Sequence, residues 1–515
     1  MGYEMSKSTD QDKKAPVEKW KAESLREQRR ERLAELKSRD GAKKPLRTSN
    51  IKTRIISWTV IVALLLSAGV WALFRAGVPH RQMSAMVIGD EKIMPAEVSY
   101  YYHTLLTSYG IDPNTAEGQT TLKSLSGLDD EQTIDQYIKE LAVMQLHEAV
   151  LLAEEAESRG LTISDDQQSQ IDTMITTLKD QAKQQGMTLN QYLSAAYGTG
   201  VNETVLSRVY HRSLMSGLGA DAVADGFSFS ESELDAYYQE NKATYDAVDY
   251  RSFYIAADIP EDASEAGRTK AMKLAEDQAE KMADAIENES DFREQSVIFA
   301  TDEQRESYEN DDLTLVSGRT KERVNPIYVA NWLFDDARKA GDLDVVESTA
   351  GYYVVYLIER YRPDYHYIDV RHILVSSPLN SSTEEQRKEA KTEADRILAD
   401  YLAGEMTEDA FAALAAENSA DGNAAQGGLY EDVSRGMMVE PFDAWCFDPQ
   451  RNNGDTGIVE TDFGYHVMYF SNQKGIAWQV EVDKALRDAA FTEHLTQAKE
   501  ERPYETRGFG MRLVG

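Results

Sequence analysis

The chain of 515 residues has almost no cysteine. Cys446 stands alone, so no intrachain disulfide can form and neither an oxidising nor a reducing compartment is required. No CxxC and no Cys/His cluster is present to hold a metal, and the eight histidines are scattered without an HExxH pair. Gly427-Gly428 has no P-loop lysine or GxGxxG beside it and is therefore no phosphate loop. No cofactor is implied. Positive charge is also scarce: 55 Lys and Arg face 89 Asp and Glu, a net charge of −34. The basic minority gathers at the start, where residues 1–54 hold 16 Lys and Arg against 9 Asp and Glu. The acidic remainder lacks the basic face that phosphate binding needs, which excludes nucleic acid as a partner.

Long apolar runs are equally rare. The one from Ile55 to Phe74 has 20 residues and no charge. At about 1.5 Å per residue this length spans the hydrocarbon core of a bilayer. Trp58 and Trp71 lie near its ends, and Arg47, Lys52 and Arg54 crowd its N-terminal side. The expectation is a single transmembrane helix with residues 1–54 in the cytoplasm and the bulk of the chain outside. Arg75 and Arg81 weaken that asymmetry without reversing it. A cleaved signal peptide is the alternative, against which stand the long polar segment before the run and the length of the run itself. No cysteine follows at a lipobox, which excludes a lipoprotein. Residues 1–54, rich in Lys, Arg, Glu and Ala, show no apolar stripe and read as disorder or a marginal helix.

Residues 84–245 read as a helical module. A short strand-like piece, Ala85 to Ile93, precedes Met94-Pro95-Ala96-Glu97, a normal helix start. Further helices are expected at about 130–159, 164–185, 188–197 and 202–223, with Thr188 and Asn202 as caps and Gly160 and Gly186 as stops. Ile134, Ile138, Leu141 and Met144 step at helical spacing, which predicts core, with an exposed groove for unfolded chains as the alternative. A last helix is expected over 478–500, with Val482, Leu486, Ala490 and Leu495 on one side.

The second half contains a duplication. Trp332-Leu333-Phe334-Asp335 sets beside Trp445-Cys446-Phe447-Asp448. Without a gap, Gly341-Asp342 falls on Gly454-Asp455, Gly351-Tyr352 on Gly464-Tyr465 and Tyr356 on Tyr469. Upstream, Asp249-Tyr250-Arg251-Ser252 parallels Asp369-Val370-Arg371-His372. Ser252 thus stands for His372 and Tyr353 for His466, and the run Ser434-Arg435-Gly436-Met437-Met438 has no good counterpart. The fold class is α+β, with a small antiparallel sheet wrapped by helices in each copy.

The second copy, from Asp369 to Phe470, resembles the parvulin family of peptidyl-prolyl cis/trans isomerases in the order and spacing of its pieces. These are the strand Val370-Arg371-His372-Ile373-Leu374-Val375, two amphipathic helices, Gly427-Gly428, the Ser434–Phe442 run and the strand from Phe463. The helical module and Ser230–Asn241 resemble the N-terminal region of SurA-, PrsA- and PpiD-like foldases. The resemblance implies an organisation: tail 1–54, transmembrane helix 55–74, chaperone module 84–245, degenerate parvulin-like copy 246–362, parvulin domain 366–471 and C-terminal helix and tail 472–515. It places His372, Asp421, His466 and Thr461 at a polar centre, and Met438, Phe442, Tyr430 and Phe447 around the proline ring. It implies a membrane-anchored extracytoplasmic foldase with isomerase and chaperone activity. The partners would be unfolded secreted or envelope polypeptides with Xaa-Pro bonds, and the membrane through Ile55–Phe74, with a contact to secretion machinery as a further one. Chaperoning with catalytically inactive parvulin domains is the alternative, as is a structural role in the envelope. Asp421 would supply negative charge near the rotating carbonyl, with nucleophilic attack as the other reading. The stretch from Asp421 to Gly427 is shorter than the family pattern, Tyr430-Glu431 departs from it, and Phe463 stands where a small residue is frequent. The loop after Val375 has no Arg/Lys cluster, so phosphate-directed specificity is not expected.

Overall fold

The computed structural model describes residues 24–35, 51–128, 131–310 and 312–515. Most of the charged N-terminal tail lies outside the described residues, except for an exposed helical piece at 24–35. Ile51–Arg75 is a helix whose side chains are described from Val60 onward, and Leu64, Leu65 and Leu66 are each about two-thirds exposed. Among the described residues no helix is long and apolar enough to cross a membrane, so the expected span over 55–74 is without support there.

Two compact units follow. One comprises 1–146, 171–209 and 504–515, the other 147–170 and 210–503. In the first, helix Pro95–Ser108 starts on its proline, and Glu97, 1% exposed, receives Arg208 at 3.1 Å. A buried carboxylate persists because it is paired. A capping box formed by Thr188 and Gln191 starts Leu189–Tyr197. The strand-like piece at 85–93 is a hairpin, Met86–Ile88 and Glu91–Ile93, and Tyr504–Thr506 adds to it as a third antiparallel strand. That C-terminal strand is absent from the sequence reading, because three residues, none of them buried, carry no period.

The second unit holds the two copies. The first has β1 (Ala247–Ala256), β2 (Leu315–Thr320), β3 (Leu343–Ser348) and β4 (Gly351–Tyr361), in the sheet order β2-β1-β4-β3. The second has β5 (His366–Ser376), β6 (Leu429–Val433), β7 (Thr456–Thr461) and β8 (Gly464–Ile476), in the order β6-β5-β8-β7. All pairs are antiparallel and the registers superimpose. Gly351 pairs with Ala256 as Gly464 pairs with Ser376, and Tyr254 pairs with Tyr353 as Leu374 pairs with His466. Asp342 and Asp455 accept the same backbone bond, from Leu357 and Phe470. Arg251 reaches Glu289, and Arg371 reaches Glu408, each the first residue of its copy's second helix. The duplication is therefore structural down to single ion pairs.

Local rules build each copy. In the second, Thr383 and Gln386 form a capping box for Glu384–Ala403, and Thr407 caps Glu408–Asn418. Ala390, Ala394, Ile397 and Phe411 from these helices pack on Ile373, Tyr465 and Val467. The other sheet face meets Phe442 and Cys446 of the short helix Glu440–Cys446. The helix Ala477–Glu501 lays Trp478 and Val482 on Leu234 and Tyr238 of Glu231–Glu240. Near its end, Lys499 meets Glu148 at 3.0 Å, and His147 bonds the carbonyl of Arg502 at 2.7 Å.

Candidate active site

Strand alternation places both imidazoles. Side chains two apart share a sheet face, so His372 lies with Ile368 and Val370, and His466 with Met468 and Phe470. Residues one removed, Ile373, Tyr465 and Val467, face the helices instead. His466 pairs with Leu374 and Met468 with His372, which makes the two histidines diagonal neighbours across the β5–β8 ladder. Their rings stack at 5.2 Å with 20° between planes, and both are almost wholly buried.

Around them the hydrogen bonds run one way. The amide of Phe463 donates to Oγ1 of Thr461 (3.2 Å), which lies 2.8 Å from Nε2 of His466. Nδ1 of His466 lies 3.0 Å from Nδ1 of His372, and Nε2 of His372 lies 2.8 Å from Oδ2 of Asp421. The last contact is close but not aligned as a good hydrogen bond. A carboxylate only accepts, so Nε2 of His372 carries a proton. In the neutral ring its Nδ1 is then an acceptor. His466 must donate from Nδ1 and accept at Nε2 from the Thr461 hydroxyl. The reverse direction would aim the lone pair of His372 at the carboxylate.

Electrostatics agree with this assignment. Burial pushes His372 down, partly opposed by Asp421. Burial and the neighbouring His372 push His466 down to about 4. Burial works against the Asp421 charge, but His372, the Tyr430 hydroxyl (3.0 Å) and the Gly422 amide together hold its carboxyl below the usual range. Burial and then Asp421 push the Tyr430 phenol up to about 12. At neutral pH the site is one fixed negative charge backed by two neutral imidazoles.

The short Asp421 loop still delivers its carboxylate. Ser419 Oγ accepts from the amides of Leu374 (3.1 Å) and Asp421 (3.3 Å), and the Ala420 amide donates to the Leu374 carbonyl (2.9 Å). The loop is thus tied to the strand beside His372. Ser419 and Asn423 are missing from the sequence reading. The Asn423 side-chain oxygen is buried near His372 and favours its charged form. Neither has a spacing signal, because both act through loop geometry.

The apolar side assembles around the same rings. Phe442, 2% exposed, meets His372 and His466 edge-on, each at 5.5 Å. Tyr430 stacks on His372 at 5.2 Å. Met438 and Phe447 border the Phe442 cluster. The ring of Phe447 lies against Tyr365 at 5.4 Å and under Arg435. In the first copy the equivalent centre is gone: Tyr353 lies against Tyr254 at 4.6 Å, and Ser348, in the place of Thr461, bonds the Gly351 carbonyl.

Comparison with known proteins follows the same division. Residues 372–472 match a rotamase family described as the PPIC-type PPIase domain, and residues 229–366 match a second rotamase family of that description. Chaperone SurA of Hahella chejuensis is 25% identical over 359 residues, covering 67% of this chain and 73% of its own. Chaperone SurA of Cupriavidus metallidurans is 26% identical over 256 residues, 47% of this chain and 48% of its own. The structure of the peptidylprolyl isomerase PrsA from Bacillus anthracis is 16% identical, with a TM-score of 0.18, covering 58% of this chain and 93% of that one.

Proposed function

For a chain that carries two parvulin-type peptidyl-prolyl isomerase domains and is similar to SurA chaperones, we propose the following division of labour. The second copy isomerises Xaa-Pro bonds at His372, Asp421, His466 and Thr461. The helical module and the first copy hold unfolded extracytoplasmic polypeptides. The observation that carries the catalytic assignment is the line of polar contacts from Thr461 through His466 and His372 to Asp421, with the Phe442 ring edge-on to both imidazoles.

The barrier to rotation, about 20 kcal/mol, is amide resonance. A catalyst must therefore favour the twisted amide over both planar isomers. Phe442, Met438, Tyr430 and Phe447 supply apolar walls for the proline ring. Asp421 sets its negative charge beside the rotating carbonyl and disfavours the charge-separated planar form. His372 and His466 lock each other's tautomers and keep that charge in place, and Thr461 sets the direction. No covalent bond breaks. The first copy, with Ser252 and Tyr353 in place of the imidazoles, binds without turnover.

The apolar run Ile55–Phe74 anchors the chain in a membrane as a single pass with residues 1–54 inside. Its support is the uncharged sequence and the exposure of Leu64, Leu65 and Leu66 among the described residues.

The catalytic test is isomerisation of a short Xaa-Pro peptide by the wild type, Asp421→Ala and His466→Ala. The wild type is expected to exceed background clearly and both variants to fall toward it. Equal, background-level rates would overturn the assignment. For the anchor, alkaline carbonate extraction of cell membranes should leave the full chain in the pellet and release a variant lacking 55–74. Release of both would refute it.

A further inference from the structure

The Ser434-Arg435-Gly436 run is where the two copies meet. Gly318 at φ +68 and Gly436 at φ +70 both adopt left-handed backbone. A Cβ on Gly318 would stand 2.5 Å from the Arg435 carbonyl oxygen, and one on Gly436 would stand 2.1 Å from that of Ser317. Each glycine is therefore required twice, by its own conformation and by the backbone of the other copy. The contact is pinned from both sides. In the first copy, Asp249 Oδ1 accepts from the Gly318 amide at 2.7 Å. Arg323 Nη1 donates across to Oγ of Ser434 at 2.8 Å, a residue only 3% exposed. In the second copy, the Gly436 amide donates to Oδ1 of Asp443 at 2.8 Å. Asp443 directly follows Phe442 in the helix Glu440–Cys446, and Met438 lies two residues beyond Gly436. The Arg435 guanidinium sits 5.2 Å over the Phe447 ring.

We infer that the first copy, without a polar centre of its own, is a structural part of the prolyl pocket of the second. The irregular Ser317-Gly318 step within β2 sets the 434–438 loop, and through Gly436, Asp443 and Arg435 it sets Met438, Phe442 and Phe447. Gly318, Arg323 and Gly436 are positioning residues. The inference rests on the assignment of Xaa-Pro binding to that pocket. The hydrogen bonds of His372, Asp421, His466 and Thr461 involve none of these residues, and Phe442 meets the two imidazoles by ring edge without a hydrogen bond. Disturbing that step of β2 should therefore weaken peptide binding and spare the rotation step.

The experiment uses the full chain in mild detergent, with a proline-containing peptide as probe, and reads Kd, KM and kcat. Gly318→Ala and Arg323→Ala are compared with Gly341→Ala. Gly341 is also left-handed (φ +90) and in the first copy, but a Cβ there meets nothing closer than the Tyr356 hydroxyl at 3.9 Å. Gly318→Ala and Arg323→Ala should raise KM and Kd several-fold with kcat near that of the wild type, and Gly341→Ala should behave as the wild type. Unchanged KM and Kd in the first two would overturn the inference, as would an equal rise in Gly341→Ala. If Gly318→Ala does not fold, Arg323→Ala decides alone, since Arg323 is an exposed residue. If the wild type binds the peptide without turnover, the catalytic assignment fails and Kd still decides the inference. A wild type that does not bind the peptide overturns both.

Discussion

Acid should loosen the second copy before the first, and His466 gives the size of the effect. Its folded pKa is pushed down to about 4, against roughly 6.5 for a free histidine. The unfolded chain therefore binds the proton first. Stability is full above the free value, falls as pH drops below it, and stops falling below the folded value. Linkage over this window gives a loss of about 2 kcal/mol between pH 7 and pH 5 from His466. His372 is shifted the same way and adds to it. The chain supplies its own control, since the first copy builds the same sheet with Ser252 and Tyr353 at these positions. In the double variant His372→Ser, His466→Tyr, this part of the pH dependence should vanish. Cys446, the single thiol, is 1% exposed in the core of the second copy and reports its unfolding. The assay is the urea midpoint of Cys446 reaction with a dipyridyl disulfide, which also reacts in acid, for both proteins from pH 7 to 5. The difference between them should change by about 2 kcal/mol or more toward lower wild-type stability at pH 5. A difference that stays constant, or an NMR titration of His466 with a midpoint near 6.5, refutes the buried neutral pair.

Thr461→Val leaves Nε2 of His466 buried without a donor, at a cost of about 1–3 kcal/mol, and releases the tautomer lock. It should lower kcat for Xaa-Pro isomerisation with little change in KM, and Thr461→Ser should restore it. Asp443 titrates with the opposite sign. Burial pushes its carboxyl up to about 6, against the Gly436 amide and Arg435, so its charged form weakens the fold above that pH and the penalty is relieved as pH falls through it. Asp443→Asn keeps an oxygen for the Gly436 amide and should raise the urea midpoint at pH 7.5 while leaving it nearly unchanged at pH 4. Removing residues 504–515 strips the partner strand from Met86–Ile88, and hydrogen exchange of the amides at 86–88 should accelerate well beyond that of β5.

The element positions were legible because they depend on near neighbours. Thr383 with Gln386 and Thr407 with Ala410 are contacts within one turn, and the alternation that puts His372 and His466 on one sheet face is a period of two. The duplication read from Trp332/Trp445 and Gly351/Gly464 reappears as the same register in both sheets, since identical spacing between strands yields identical pairing. His372, His466, Asp421, Thr461, Tyr430 and Phe442 meet at one point, while Phe447 turns toward Tyr365.

By itself, then, the sequence determined where many helices start and stop and which copy has imidazoles, because each of these is a local or periodic property of the chain, whereas the stripe Ile134, Ile138, Leu141 and Met144 expected as core is buried only in part, with Met144 exposed. Only the tertiary structure decided the direction of the hydrogen-bond chain, the burial that pushes His466 down to about 4, and the hold of Ser419 on the short Asp421 loop. It also decided the meeting of Gly318 with Gly436 and the return of Tyr504–Thr506 to Met86–Ile88. Desolvation, lone-pair direction and backbone approach depend on groups as far apart as Arg323 and Ser434, and that distance leaves no pattern in the order of residues.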